Sequence, residues 1–171
     1  KPIYQLYYGS AIGLQARIHL GKKEWIRTLW TAYQGFSIIR EVADENPDFI
    51  DAQLPIGVVE YYAGLSGGLI KLGAGLFGLV PSIENGRAAI ALAARSGEYS
   101  WMEARSILVY LDLYIDGNPE LALKNADYLV NAFPQNWYYR QLLTHCQFST
   151  GDIEKGFESL KWIDLNYEPL P

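Results

Sequence analysis

The chain is poor in most of what catalysis needs. Of its 171 residues one is a cysteine, Cys146, and two are histidines, His19 and His145. A lone cysteine excludes an internal disulfide, so the sequence does not distinguish a reducing compartment from an oxidising one. His145 and Cys146 are adjacent on one predicted helix, hence about 100° apart and not facing each other. His19 is expected at the end of the first helix, where a cation complements the macrodipole. No third group at helical spacing completes a catalytic set, and no catalytic residue, cofactor or metal ligand is assigned. Cationic residues are the minority too, 14 Lys and Arg against 19 Asp and Glu, and the resulting net charge of −5 reads as spread along the sequence. That leaves no basic face for a phosphate backbone, and nucleic acid is not expected as a partner. The longest apolar stretch, Leu65 to Pro81, is interrupted by Lys71 and five glycines. It falls short of the ~20 residues that cross a bilayer as a helix, so no transmembrane segment is expected. The chain starts at Lys1 with no charged leader and apolar run, which reads as a processed or trimmed start.

What is abundant is apolar and aromatic surface, 50% of residues, with thirteen tyrosines and five tryptophans, enough to bury a sizeable core. Its arrangement repeats. "DGNPELALKNADYLVNAFPQN", from Asp116, recurs in outline as "TGDIEKGFESLKWIDLNYEP", from Thr150. Gly117 and Gly151, the small residues Ala122 and Gly156, and the expected core positions Ala126 and Leu160, and Leu129 and Ile163, are each 34 residues apart, the period of a helix–turn–helix unit of tetratricopeptide type.

Helix punctuation agrees with that period. Gly117 and Gly151 stand where one helix must stop in a left-handed residue. Asn118 caps the next helix and Pro119 takes its first position. Ser100 to Glu103 reads as a capping box before the apolar helix "WMEARSILVYLDLYI". The stripe Ala122, Ala126, Leu129 and Phe133 makes the following helix an outer one, and Gly86, Ile90 and Ala93 occupy the same offsets in "SIENGRAAIALAARSG". The inner partner of that segment is "DFIDAQLPIGVVEYYAG", capped by Asp48 and stopped at Gly64. Pro55 there kinks the helix or delays its start, and Gly57 admits a neighbouring backbone. Asp44, Glu45 and Asp51 join Asp48 in supplying favourable charge at that helix start. A first pair, Tyr4 to His19 and Lys22 to Glu45, breaks at Gly21 and packs through Ile26, Trp30 and Tyr33. The expectation is an all-α, right-handed superhelix forming a single domain, 1–171, of about four hairpins (4–46, 48–97, 100–134 and 136–168). The second hairpin carries an apolar insert at about 65–81, with a short helix around Leu69 to Phe77. Gly73, Gly75 and Gly78 in "KLGAGLFG" match a dinucleotide-binding spacing, but no βαβ pattern surrounds them, and they read as close-packing glycines.

These residues resemble tetratricopeptide-repeat proteins of a divergent kind. Gly117, Glu120, Ala122 and Pro134, then Gly151, Asp152, Glu154 and Pro169, carry the likeness over residues 101 to 168. The N-terminal part, "YYG…GKKEW", "NPDFIDAQLPIGVVEYYAG" and "ENGRAAI", is similar to a mostly bacterial, uncharacterised subset with a glycine-rich apolar insert. Tyr110, where the repeat prefers glycine, and Leu129, where it prefers alanine, depart from the pattern. The resemblance implies an interaction scaffold that binds a segment of another protein in the groove lined by its inner helices. Members of the bacterial subset are often exported, so it also implies a periplasmic setting, although a cytoplasmic one agrees equally with the residues.

Projecting the inner-helix frame gives the groove candidates Gln15, Val58, Tyr61, Tyr62, Ile107, Leu111, Tyr114, Tyr138, Gln141, His145 and Phe148. They hold no Lys or Arg, which favours apolar and aromatic contacts over the grip on an acidic tail. The leading function is a non-enzymatic module docking a partner protein, or a second copy of itself, in this groove or at the insert. A small-molecule or lipid-binding helical module is the alternative, followed by a membrane-surface adaptor.

Overall fold

The computed structural model describes residues 1–66 and 80–167. Every regular element among them is helical. In order they are α1 (Pro2–Gly21), α2 (Trp25–Glu45), a 3-10 turn (Ile50–Ala52), α3 (Gln53–Leu65), α4 (Ile83–Ser96), α5 (Trp101–Tyr110), α6 (Pro119–Ala132), α7 (Trp137–Ser149) and α8 (Ile153–Asn166). Leu111–Ile115 continues α5 as a π-helical turn. The expected all-α class and helix order are present. The expected insert helix at Leu69 to Phe77, with Lys71, Gly73, Gly75 and Gly78, lies outside the described residues, as does Pro169. The chain divides into two compact units, Lys1–Trp101 and Met102–Pro171.

In the N-terminal unit α1 packs on α2 and α3 on α4. Gly9 and Gly13, four residues apart on α1, share the side that meets Gly35 of α2. A Cβ added to Gly35 would lie 2.5 Å from the Gly13 nitrogen and 2.6 Å from the Gly9 oxygen. A Cβ on Gly57 would lie 2.6 Å from the Gly86 oxygen, and one on Gly86 equally close to the Gly57 oxygen. Gly57 thus admits a neighbouring backbone as expected, and the neighbour is Gly86. Each glycine costs about 1 kcal/mol of helix propensity. Backbone-to-backbone dispersion across the close approach offsets that cost. The core of this unit gathers Leu6, Phe36, Ile39, Val42, Ala52 and Ile56.

Gly35 also explains why the α2 stripe differs from expectation. Only a bare backbone can approach α1, so the buried side is Thr31, Gly35, Phe36, Ile39 and Val42. Ile26, Trp30 and Tyr33 point outward, Ile26 being 85% exposed. The α1–α2 break is displaced as well. Helix α1 runs through Gly21, and the left-handed residue is Lys23, at φ 59°. The turn closes through the Glu24 N–H to the His19 carbonyl at 2.9 Å and through the two side chains, His19 Nδ1 to Glu24 Oε2 at 2.7 Å.

Asp48 does not cap α3. That helix begins at Gln53 after the 3-10 turn, with Pro55 in its first turn, where a missing N–H leaves no intrahelical bond unmade. Pro55 therefore delays the start. The acid with a structural role is Asp51, only 2% exposed. Its carboxylate accepts the backbone N–H groups of Glu98 (3.2 Å), Tyr99 (2.8 Å) and Ser100 (2.6 Å). Burial pushes its pKa upward, but these donors outweigh burial and hold it below the usual aspartate range. The Ser100 hydroxyl lies over Gly97 and makes no capping bond, so the expected capping box gives way to Asp51.

In the C-terminal unit the punctuation matches the sequence closely. Gly117 (φ +66°) and Gly151 (φ +81°) are left-handed. Asn118 Oδ1 accepts the Leu121 N–H, Pro119 opens α6, and Asp152 caps α8. Ala122, Ala126 and Leu129 are fully buried, as expected, with Val109, Leu111 and Cys146. The π turn was not legible. The Asp116 N–H bonds the Leu111 carbonyl five residues back at 2.8 Å, and Asp112 is carried fully inside.

Candidate functional site

Helix α7 is where the aromatic residues of the second unit converge. It starts at Asn136, whose Oδ1 accepts the N–H groups of Tyr138 and Tyr139. Tyr139, Leu142, Leu143 and Cys146 turn into the core. Trp137, Gln141, His145 and Phe148, spaced four, four and three residues apart, form the other side. The tight turn at Gly151 brings α8 back along α7, and between them lies a cleft of about 440 Å³. Trp137, Gln141, Thr144, His145 and Phe148 line it from α7, and Leu160, Ile163 and Tyr167 from α8. An edge-on aromatic pair stands at each end: Trp137 with Tyr167, ring centres 5.2 Å apart, and Phe148 with Phe157 at 5.3 Å.

His145 connects the cleft to the π turn. The Tyr114 hydroxyl hydrogen-bonds His145 Nδ1, and the Tyr110 ring lies 5.1 Å from that of Tyr114. Partial burial, with smaller contributions from Cys146, Tyr110 and Tyr138, keeps the Tyr114 pKa above the usual tyrosine range, so the phenol keeps its proton. Next along the helix, Cys146 is fully buried, and burial, reinforced by the carboxylates of Asp127 and Asp112, pushes its thiol up to about 12. It is a packing residue and not a thiolate nucleophile. Among the described residues no group of three or more His, Cys, Asp or Glu side chains is placed to hold a metal ion. No helix among them is long and apolar enough to cross a membrane.

The structure sorts the groove candidates sharply. Gln141, His145 and Phe148 line the cleft, and Tyr114 joins it through His145. Tyr138 is exposed beside Trp137, with ring centres 6.3 Å apart. Ile107 is half-buried on α5. Leu111 is fully buried, in helical register with the buried Ala104 and Leu108, and it does not line the cleft. Gln15, Val58, Tyr61 and Tyr62 belong to the other unit. There Gln15 and Tyr62 are exposed and Val58 is half-buried. Tyr61 is fully buried, its backbone against Gly86 where α3 and α4 nearly touch, and it too is withdrawn as a groove residue.

Sequence reasoning missed Trp137, Thr144, Leu160, Ile163 and Tyr167. Trp137 is one helical step before Gln141 and could have been found from that spacing. Leu160 was expected in the core as the counterpart of Ala126, yet it is 46% exposed. The charge distribution was also misjudged. Six of the 14 Lys and Arg fall within the first forty residues, which contain a single acid, Glu24.

No family model, curated protein or solved structure matches this chain. Its function is therefore inferred from its own geometry.

Proposed function

We propose that the chain is a non-enzymatic docking module of divergent tetratricopeptide type, which holds an apolar or aromatic segment of a partner protein in the cleft between α7 and α8. The observation that carries this reading is the lining of that cleft. It has no Lys, Arg, Asp or Glu, it has aromatic pairs at both ends, and Gln141 and His145 supply hydrogen-bonding groups at its rim. Rigid rings that bury apolar area with little loss of rotamer entropy, beside a few polar groups that fix register, suit recognition of a short peptide segment. A grip on acidic tails would need cations that are not there.

The test is site-specific photo-crosslinking in the source organism with the photoreactive residue at Gln141, compared with the same residue at exposed Lys124 on α6. A protein cross-linked from position 141, absent from position 124 and lost in the Phe148→Ala variant, is the expected result. Equal cross-linking from both positions overturns the reading. So does a small molecule retained by the purified chain in native mass spectrometry and released by Phe148→Ala, which would favour a ligand-binding module.

A further inference from the structure

Helix α2 presents a second surface, in the N-terminal unit, whose interpretation does not rest on the cleft. Ile26, Trp30, Tyr33, Ser37 and Asp44 recur every three to seven residues along the side opposite the buried Thr31, Gly35 and Val42. This side is graded. At its start it has Lys22, Lys23 and Arg27, the last with a side chain 72% exposed and 3.6 Å from Glu24, whose same carboxylate oxygen also meets His19 at 2.7 Å, so three cations there stand against a single acid. In the middle are Trp30 and Tyr33, with ring centres 6.1 Å apart, and Trp30 is 58% exposed. At its end are Glu41, Asp44 and Glu45, with Asp48 just beyond. Arg40, the cation in that region, lies 4.0 Å from the partly buried Glu60, which leaves the end acidic. A groove of about 370 Å³ runs from Tyr33 to Glu45 over the acidic half. Large apolar knobs thus occupy the basic half and a hollow the acidic half.

We propose that this face is the interface between two copies of the chain, with their α2 helices antiparallel about a two-fold axis that crosses the exposed side at the level of residue 35, between Tyr33 and Ser37. An isologous contact requires a surface complementary to itself, residue i meeting j and j meeting i. Counting from Gly35, Trp30 of one copy falls at the groove of the other. Arg27 falls at Glu41 and Asp44, and Lys22 and Lys23 fall near Asp48. A parallel arrangement would oppose like charges. An anionic lipid surface would attract the basic half and repel the acidic half, so a face carrying both signs is matched by a partner with the reverse gradient, and the second copy supplies it. The 21 residues of α2 give a contact about 31 Å long.

Sedimentation equilibrium of the full chain tests this. The wild type should be a dimer in reversible equilibrium. The Lys22→Glu/Arg27→Glu variant and the Asp44→Lys/Glu45→Lys variant should each dimerise at least about tenfold more weakly, since every reversed pair counts twice by symmetry. These side chains are solvent-facing, and circular dichroism should show both variants folded. Mixing the two variants should restore a heterodimer, and combining all four substitutions in one chain should restore the homodimer. A wild type monomeric at its highest soluble concentration overturns the proposal. So does a dimer unaffected in both variants, or failure of the mixed and combined forms to recover. Loss of the dimer on adding phosphatidylglycerol vesicles, with the chain floating alongside them, would also overturn it in favour of a membrane surface.

Discussion

The two units of this protein join helices in opposite ways. In the N-terminal unit the closest approach is made by removing side chains: Gly35 comes against the backbone of Gly9 and Gly13, and Gly57 and Gly86 come against each other. In the C-terminal unit the space is filled with Ala122, Ala126, Leu129, Leu143 and Cys146, and glycine is used chiefly to turn the chain. A helix whose inward side has been pared down must display its bulk elsewhere. Accordingly Tyr4, Tyr7, Tyr8, Leu14 and Ile18 are exposed along the outer side of α1, and Trp30 and Ile26 on α2. In the second unit large residues enter the core, and those that remain outside collect around one cleft. Similar helix pairs therefore leave different exposed surfaces.

This contrast can be broken most directly at Gly86. In Gly86→Ala the new methyl would meet the Tyr61 backbone and the Gly57 carbonyl, neither of which can rotate away. The expected loss is about 3 kcal/mol or more, read from urea unfolding, with hydrogen exchange rising first in α3 and α4. Next in size is Asp51→Asn, which places an amide donor among three backbone donors and should cost about 2 to 3 kcal/mol. It also gives a pH signature. A carboxylate whose folded pKa lies below its unfolded value contributes stability that is fully present above the ordinary aspartate range and lost as pH falls through the folded value. The wild type should therefore lose stability on acidification below about pH 3.9 more steeply than Asp51→Asn, measured by thermal melts across that range.

Gly156→Ala sharpens the comparison from the other side. The three atoms nearest its methyl would all belong to the ring of half-buried Phe148, a side chain that can move, and the gain in helix propensity acts in the opposite direction. The change in stability should stay within about 1 kcal/mol. A loss as large as that of Gly86→Ala would show that both units depend on backbone contact. Lys23→Gly should have the smallest effect, a gain of about 0.5 to 1 kcal/mol in urea unfolding, because the left-handed conformation at φ 59° is strained for lysine and free for glycine.

The second unit was the more legible in sequence, and the reason is physical. Its helix boundaries are written in residues with one dominant local role: Gly117 and Gly151 for left-handed turns, Asn118 and Asp152 for caps, Pro119 for a first turn. In the first unit the decisive relations are distant. That Gly35 and not Trp30 faces α1 follows from the positions of Gly9 and Gly13 on another helix. That Asp51 and not Asp48 matters follows from donors at residues 98 to 100. Hydrophobic periodicity identified α2 as amphipathic but chose the wrong side, since it scores a tryptophan as buried and a glycine as neutral. Of the cleft, the α7 stripe was readable at helical spacing. Its α8 wall was not, because the 34-residue repeat equated Leu160 with the buried Ala126.

The three backbone groups gathered by Asp51 have a consequence for how the protein is made. The acceptor leaves the ribosome 49 residues before Ser100, the last of its donors. Until that segment emerges, the carboxylate has only water as a partner, and the first four helices cannot close around it without trapping a bare charge. A nascent or truncated chain ending before Glu98 should therefore remain open at the 3-10 turn, even though it contains nearly all of the helical sequence of its unit.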